Sequence, residues 1–203
     1  MCGIMGYYSF GNTLPDKNKI TKMFSLLESR GKDASGFAYI KHNSLVVHKD
    51  AIKSSEFVKT NEWKELELPQ SMILHTRMKT QGSERNPSNN HPLFSKNGIA
   101  IVHNGIIYND KEIFGKKERD AEVDSESILH LLSQKSKGNK IKALFDKIDG
   151  SFAVAIINKY QPDKLILIKK DNPIDLYYDQ KDDILYFCSE QAIMRESLNI
   201  EKE

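Results

Sequence analysis

Cys2-Gly3-Ile4-Met5-Gly6-Tyr7-Tyr8-Ser9 follows the initiator Met1 and decides how the rest of the chain is read. Gly3 to Ser9 is apolar and aromatic, the composition of a strand, so Cys2 stands at a strand start. Once Met1 is removed, Cys2 carries a thiol and a free α-amine on one carbon. Both groups titrate within about two units of neutrality, so one residue supplies a nucleophile and a proton acceptor. A cysteine at position two can also be an accident of the start site, and only the downstream sequence separates the two readings.

Working outward, Ile20, Met23, Phe24 and Leu27 keep the i, i+3, i+4, i+7 spacing of an amphipathic helix, with Asp16 as its cap. Gly36 to Ile40 and Leu45 to His48 read as paired strands around His42-Asn43-Ser44. A polar helix is expected over Ser54 to Leu66. Met72 to Thr76 and Ile99 to His103 are short strands flanking a long polar loop, Lys79 to Lys96. Helices are expected over Glu126 to Ser133 and Ile141 to Ile148. The strands Phe152 to Ile157, Leu165 to Ile168, Leu176 to Tyr178 and Ile184 to Cys188 follow, then a helix from Gln191. Strands gathered at both ends with helices between favour an α+β fold with antiparallel sheets.

The 203 residues suit a single domain, 1-203, with room for a core. Thirty basic and 28 acidic side chains leave a net charge of +2, which gives no reason to expect nucleic acid or a membrane surface as the main partner. No apolar run approaches a membrane span of about 20 residues, and the start lacks a signal-peptide pattern. Two cysteines form no disulfide framework and suit the cytoplasm. Cys188, in Ile184-Leu185-Tyr186-Phe187-Cys188, reads as core. The six histidines keep no zinc-ligand spacing.

The long loop draws attention because such loops in compact domains are often binding loops. It opens with His75-Thr76-Arg77-Met78-Lys79-Thr80-Gln81-Gly82 and ends near Asn90-His91-Pro92. An arginine at a strand end can fork onto a substrate carboxylate, although a surface ion pair is the commoner use. Gly82 would let the loop close over a ligand. In His103-Asn104-Gly105, Asn-Gly is ordinarily a hairpin turn; the alternative is an oxyanion hole from the Asn104 amide and the Gly105 N–H. Asp124 is a natural helix cap, or a partner for the ammonium of an amino-acid substrate. Arg30-Gly31 closes the first helix, with Gly31 as its stop.

Taken together these segments resemble the class II glutamine amidotransferases, the N-terminal nucleophile glutaminases. The pieces stand in that family's order: Cys2-Gly3-Ile4, Arg30-Gly31-x-Asp33-x-x-Gly36, His75-Thr76-Arg77, Thr80-x-Gly82, Asn90-His91-Pro92, His103-Asn104-Gly105-Ile106, Asp124-Ser125-Glu126 and Gly150-Ser151-Phe152-Ala153. Asp171-Asn172-Pro173, Leu176-Tyr177-Tyr178 and Phe187-Cys188-Ser189-Glu190 extend the likeness. The motifs are closest to the glutaminase domain of glucosamine-6-phosphate synthase, though Met78 replaces an aromatic and Gln81 a histidine. The last third is more like asparagine synthetase and phosphoribosyl amidotransferase.

The resemblance implies a four-layer αββα sandwich of two antiparallel sheets. It implies L-glutamine as substrate, with Cys2 attacking the side-chain amide and Asn104 and Gly105 receiving the oxyanion. Arg77 would take the α-carboxylate and Asp124 the α-ammonium, with Thr80, Gly82 and His91 also on the substrate side. Arg30, Gly31 and His103 would support the site. No metal or organic cofactor is implied. Familiar members fuse this domain to an acceptor domain, so a chain ending at Glu203 implies a separate ammonia-accepting synthase or synthetase chain. A standalone γ-glutamyl amide hydrolase and a non-catalytic glutamine-binding or assembly module are the alternatives, and an oligomer is compatible with each.

Overall fold

The computed structural model describes residues 1–134 and 139–201. Its strands are β1 (Gly3–Ser9), β2 (Ala34–Lys41), β3 (Ser44–Asp50), β4 (Ser71–Arg77), β5 (Leu93–Phe94), β6 (Ile99–Ile107), β7 (Gly150–Asn158), β8 (Gln161–Lys170), β9 (Asp175–Asp179) and β10 (Ile184–Cys188). The helices are α1 (Lys17–Leu26), α2 (Ser54–Phe57), α3 (Asn61–Lys64), α4 (Asp110–Phe114), α5 (Glu126–Ser133), α6 (Lys140–Lys147) and α7 (Gln191–Leu198). A six-stranded sheet runs β3-β2-β4-β1-β10-β9 and a four-stranded sheet runs β5-β6-β7-β8. Every strand pair in both is antiparallel.

Side-chain alternation along the strands sorts the core into three layers. Met5 and Tyr7 of β1 join Phe24 of α1, Trp63 of α3 and Met194 of α7 on the outer face of the larger sheet. Phe152, Val154 and Ile156 of β7 pack with Ile128 and Leu132 of α5 and Leu144 of α6 on the outer face of the smaller one. Between the sheets lie Ile4, Ala38, Ile73, Ala100, Val102, Ala153 and Ala155. The four alanines there allow the two sheets to approach closely. The result is the αββα sandwich. Each large aromatic buried on the outer faces contributes about 1.5–3 kcal/mol of transfer free energy.

The predicted helix over Ser54 to Leu66 is instead two short helices, α2 and α3. Phe57 and Trp63 are both buried beside Phe24. Six residues apart on one continuous helix they would face different sides, so the chain breaks between them. Thr60, extended at φ −69° and ψ 161°, caps α3 through its hydroxyl. The polar loop before β6 is also more ordered than its composition suggests. It contains a 3₁₀ turn at Pro87–Asn89 and the two-residue strand β5, which pairs with β6. None of the described helices is long and apolar enough to cross a membrane.

Candidate active site

The same alternation carries the chemistry to one end of the sandwich. Ile4, Ile73 and Val102 all point between the sheets. Residues two or four positions along share that face, which places Cys2, His75, Arg77 and Asn104 on the inter-sheet side. Gly3 pairs with Thr76 and Ile4 with His75, so the start of β1 lies against the end of β4.

The strand start is held by several groups. Ile4 donates its N–H to the Ser189 hydroxyl at 2.9 Å, and Ser189 returns its own N–H to the Ile4 carbonyl at 2.8 Å. Arg30 donates from Nε to the Cys2 carbonyl at 3.3 Å while its Nη1 lies 3.7 Å from Glu190. Gly31 ends the helical run as read from sequence: with extended backbone at φ −174° it caps the 3₁₀ turn Leu27–Arg30 that continues α1, its N–H donating to the Glu28 carbonyl at 3.0 Å. Its need is spatial: a Cβ there would sit 2.3 Å from the Arg77 carbonyl carbon and 2.5 Å from the Met78 nitrogen. Gly31→Ala is therefore expected to cost about 1–3 kcal/mol of stability, read as a lower thermal midpoint.

Cys2 is half-buried and its thiol approaches the Met78 carbonyl at 3.6 Å. Burial pushes the thiol up; the N-terminal ammonium and Arg77 oppose this, and Asp124 adds to it. A cation and an anion thus both act on the sulfur.

Arg77 is 3 % exposed, far from the surface ion pair that an isolated arginine suggests. It donates from Nη1 to the Asn90 side-chain oxygen at 2.8 Å and from Nη2 to the carbonyls of Gly82, at 3.0 Å, and Gln81. No carboxylate among the described residues forms an ion pair with it. A buried guanidinium with only neutral partners is costly unless an anion joins it. Asp33, in the Arg30-Gly31 segment, accepts from the Lys79 N–H at 2.6 Å and fixes the base of the loop.

Asp124 is not the cap of α5; Ser125 holds that position, with no capping bond from its side chain. The Asp124 carboxylate instead accepts the Ile107 N–H at 2.7 Å and the Ser125 N–H at 2.8 Å. Among the described residues no cation pairs with it. Ser125 also bonds His103 Nδ1 through its hydroxyl at 2.7 Å.

Asn104 and Gly105 are not a hairpin turn; they lie within β6, with Gly105 opposite Phe152. The Asn104 carboxamide is buried with neither its nitrogen nor its oxygen bonded. Two orphaned polar atoms at that depth point to a ligand that would satisfy them. Gly105 has φ +150°, and a Cβ there would fall 2.1 Å from the Ser151 carbonyl oxygen. Asn172 ties the segment down by donating to the Asn104 carbonyl at 2.8 Å, and Ser151 donates to the Asn172 oxygen at 3.1 Å. Asn172 and Ser151 are absent from the residues singled out by sequence, although both stand in quoted motifs.

Thr80 is exposed on the loop, and Gly82, at φ +67°, takes a left-handed turn beside Asn89. His91 stacks on His75 with ring centroids 4.2 Å apart and has no bonded nitrogen. His75 Nε2 donates to the His103 carbonyl at 3.0 Å, joining the two sheets. Burial lowers all three imidazoles, His75 to about 3, so they are neutral. Neutral, they add no positive charge beside Arg77. Among the described residues no group of three or more His, Cys, Asp or Glu is arranged to hold a metal ion. A cleft of about 910 Å³ lies by α1 and α7 and shares no residue with this cluster.

A family model described as a glutamine amidotransferase domain matches residues 75–196. The glutamine–fructose-6-phosphate aminotransferase of Aquifex aeolicus is 34% identical over 183 residues, covering 86% of this chain and 30% of that protein. The enzyme of the same name from Thermotoga maritima is 34% identical over 187 residues, covering 86% of this chain and 29% of its own. The chain thus spans under a third of the length of these relatives. In structure it is similar to glutamine phosphoribosylpyrophosphate amidotransferase of B. subtilis, with a TM-score of 0.76 at 20% identity, over 98% of this chain and 44% of that one. A glutamine aminotransferase class-II domain protein from Silicibacter pomeroyi gives a TM-score of 0.57 at 10% identity, over 92% and 88% of the two chains. At these identities the likeness speaks for the fold.

Proposed function

The chain belongs to the glutamine amidotransferase domain family, and from that premise we propose that Cys2 hydrolyses glutamine to supply ammonia to an acceptor reaction carried out elsewhere. The glutaminase class, of the N-terminal nucleophile type, comes with the family. One observation supports the assignment of residues: among the described residues a buried arginine that forms no ion pair with a carboxylate, and a carboxylate that forms none with a cation, both bear on Cys2 at the start of β1. An α-amino acid presents the complementary pair of charges.

In the proposed reaction, Arg77 binds the α-carboxylate and Asp124 the α-ammonium, which places the side-chain amide at Cys2. The thiol sulfur bonds to the amide carbon and its proton passes to the Cys2 α-amine. The oxyanion is received by the Asn104 carboxamide and the Gly105 N–H, fixed dipoles that need no reorganisation. Collapse breaks the C–N bond, the α-ammonium returns its proton to the leaving nitrogen, and ammonia departs. Water then adds to the γ-glutamyl thioester while the amine accepts its proton. Glutamate leaves and the thiol is restored. No step draws on a metal or organic cofactor, and a reduced thiol suits a cytoplasmic setting.

A separate synthase or synthetase is proposed as the ammonia acceptor; the relatives, named as glutamine-dependent aminotransferases, are about three times as long as this chain. A standalone γ-glutamyl amide hydrolase is the alternative. Ammonia release from glutamine and from N-substituted γ-glutamyl amides separates them: preference for the substituted amides would overturn the amidotransferase reading. Asp124→Asn removes the charge and, because Ile107 and Ser125 donate to different carboxylate oxygens, keeps only one of the two bonds. It is expected to raise KM for glutamine by about 10–100-fold, the worth of a charged hydrogen bond, with a much smaller change in kcat. An unaltered KM would leave Asp124 as a support of the β6 end alone.

A further inference from the structure

Lys49 stands near the end of β3, on the inter-sheet face that it shares with Val47. Its Nζ donates to the Asn90 carbonyl at 2.7 Å and to the Pro92 carbonyl at 3.1 Å. Asn90 in turn accepts from Arg77 on its side-chain oxygen, and donates from Nδ2 to the Glu84 carbonyl at 2.7 Å. One ammonium therefore grips the end of the loop whose beginning carries Arg77. The sheet is shaped for this approach: a Cβ on Gly36 would lie 2.5 Å from the His91 carbonyl oxygen and 2.7 Å from the Lys49 Cβ.

We infer that Lys49 is a positioning residue for glutamine recognition, anchoring Asn90 and Pro92 to β3 so that Asn90 holds the Arg77 guanidinium in line for the substrate carboxylate. This rests on the reading of Arg77 as the carboxylate ligand. It extends that site to a residue outside every motif of the chain.

The surroundings of Lys49 carry little countercharge. His75 and His91 beneath it are kept neutral by burial, and Arg77 is a nearby cation. His48 turns to the opposite face, against Phe37, and Asp50 beside it is exposed. Across the cleft stand the exposed Asp120 and the buried Glu126, the latter already bonded to Arg119 at 3.3 Å and to the Asp120 N–H at 2.6 Å. The Phe94 ring lies 5.3 Å from Nζ. Burial lowers the ammonium to about 8, so most of its charge is present at pH 7 and it is lost as pH rises from about 7 to 9. Losing it weakens both carbonyl bonds, since charge-assisted bonds are roughly twice as strong as neutral ones. Glutamine affinity should drop across the same interval.

Calorimetric titration of glutamine into the Cys2→Ala chain tests this without turnover. In that background Lys49→Met is expected to weaken binding about tenfold, the loss of one well-placed charged contact. Lys49→Arg should bind like its parent at pH 7 but lose the parent's decline between about pH 7 and 9, because guanidinium stays charged. The ligand's own ammonium titrates alike with every variant and cancels in the comparison. Arg77→Lys is the reference. Unchanged affinity in Lys49→Met, with a loss in Arg77→Lys, overturns the positioning role and leaves Arg77 in place. Unchanged affinity in Arg77→Lys removes both. Should Lys49→Met fail to fold, coincident pH curves for the parent and Lys49→Arg overturn the role just as well. A purely structural lysine would lower the thermal midpoint and leave the pH curve of affinity unmoved.

Discussion

Cys2→Ala is expected to lower ammonia release from glutamine by at least about 10⁴-fold, the scale on which loss of a covalent nucleophile is felt. Glutamine affinity should stay close to that of the parent. The separation follows from where the sulfur sits. The thiol approaches only the Met78 carbonyl, at 3.6 Å, a weak contact whose removal frees no buried donor or acceptor of consequence. The groups assigned to the two ends of the amino acid, Arg77 and Asp124, keep all their own bonds when the sulfur goes. Steady-state ammonia release and glutamine calorimetry on one preparation check both halves. Turnover that survives would remove Cys2 from the chemistry, whatever the family. Turnover and affinity lost together, with the fold intact, would mean that the thiol belongs to recognition.

Much of this site is legible in the sequence because sheet geometry has a period of two. Ile4, Ile73 and Val102 read as buried strand residues, and counting two or four from each reaches Cys2, Arg77 and Asn104. What a strand cannot disclose is which distant segment satisfies a buried group. Asn172 ties down the Asn104 carbonyl, Ser125 bonds His103, and Asn90 bears on Arg77. Each of these partners is a small polar residue in a loop or at a helix start, where such residues are common for local reasons. Local readings fall short for the same cause. Gly31 ends the helical run as its type suggests but also packs closely against the Arg77–Met78 backbone, and Asn104-Gly105 continues a strand rather than turning it. Lys49 gives no signal at all, since a lysine in a strand near a turn is ordinary until its two carbonyl partners are seen. The split of the helix between Phe57 and Trp63 depends on both rings reaching Phe24, which is again a tertiary demand.

A chain that retains Met1 is expected to release ammonia about 10²–10⁴-fold more slowly than one beginning at Cys2, the usual worth of a positioned general base. Burial holds the Cys2 sulfur above the ordinary thiol range, so at neutral pH it is protonated and needs an acceptor. The histidines nearby cannot serve. His75 donates its Nε2–H to the His103 carbonyl, and burial lowers all three rings, leaving weak bases. The α-amine of Cys2 is the acceptor on the same carbon, and in a Met1-bearing chain that nitrogen is an amide with no basicity. Met1 itself is 67% exposed, its ammonium donating to the Met78 sulfur at 2.9 Å, so an aminopeptidase can reach it. Once freed, the amine is also closer to the sulfur than the Met1 ammonium that already lowers it. Activity of the processed chain should rise with pH as the amine loses its proton, near pH ~8; the Met1-bearing chain should lack that rise. Intact mass measured beside ammonia release decides the matter. Equal turnover in the two forms would mean that some other group takes the thiol proton, and the N-terminal nucleophile mechanism would fall with it.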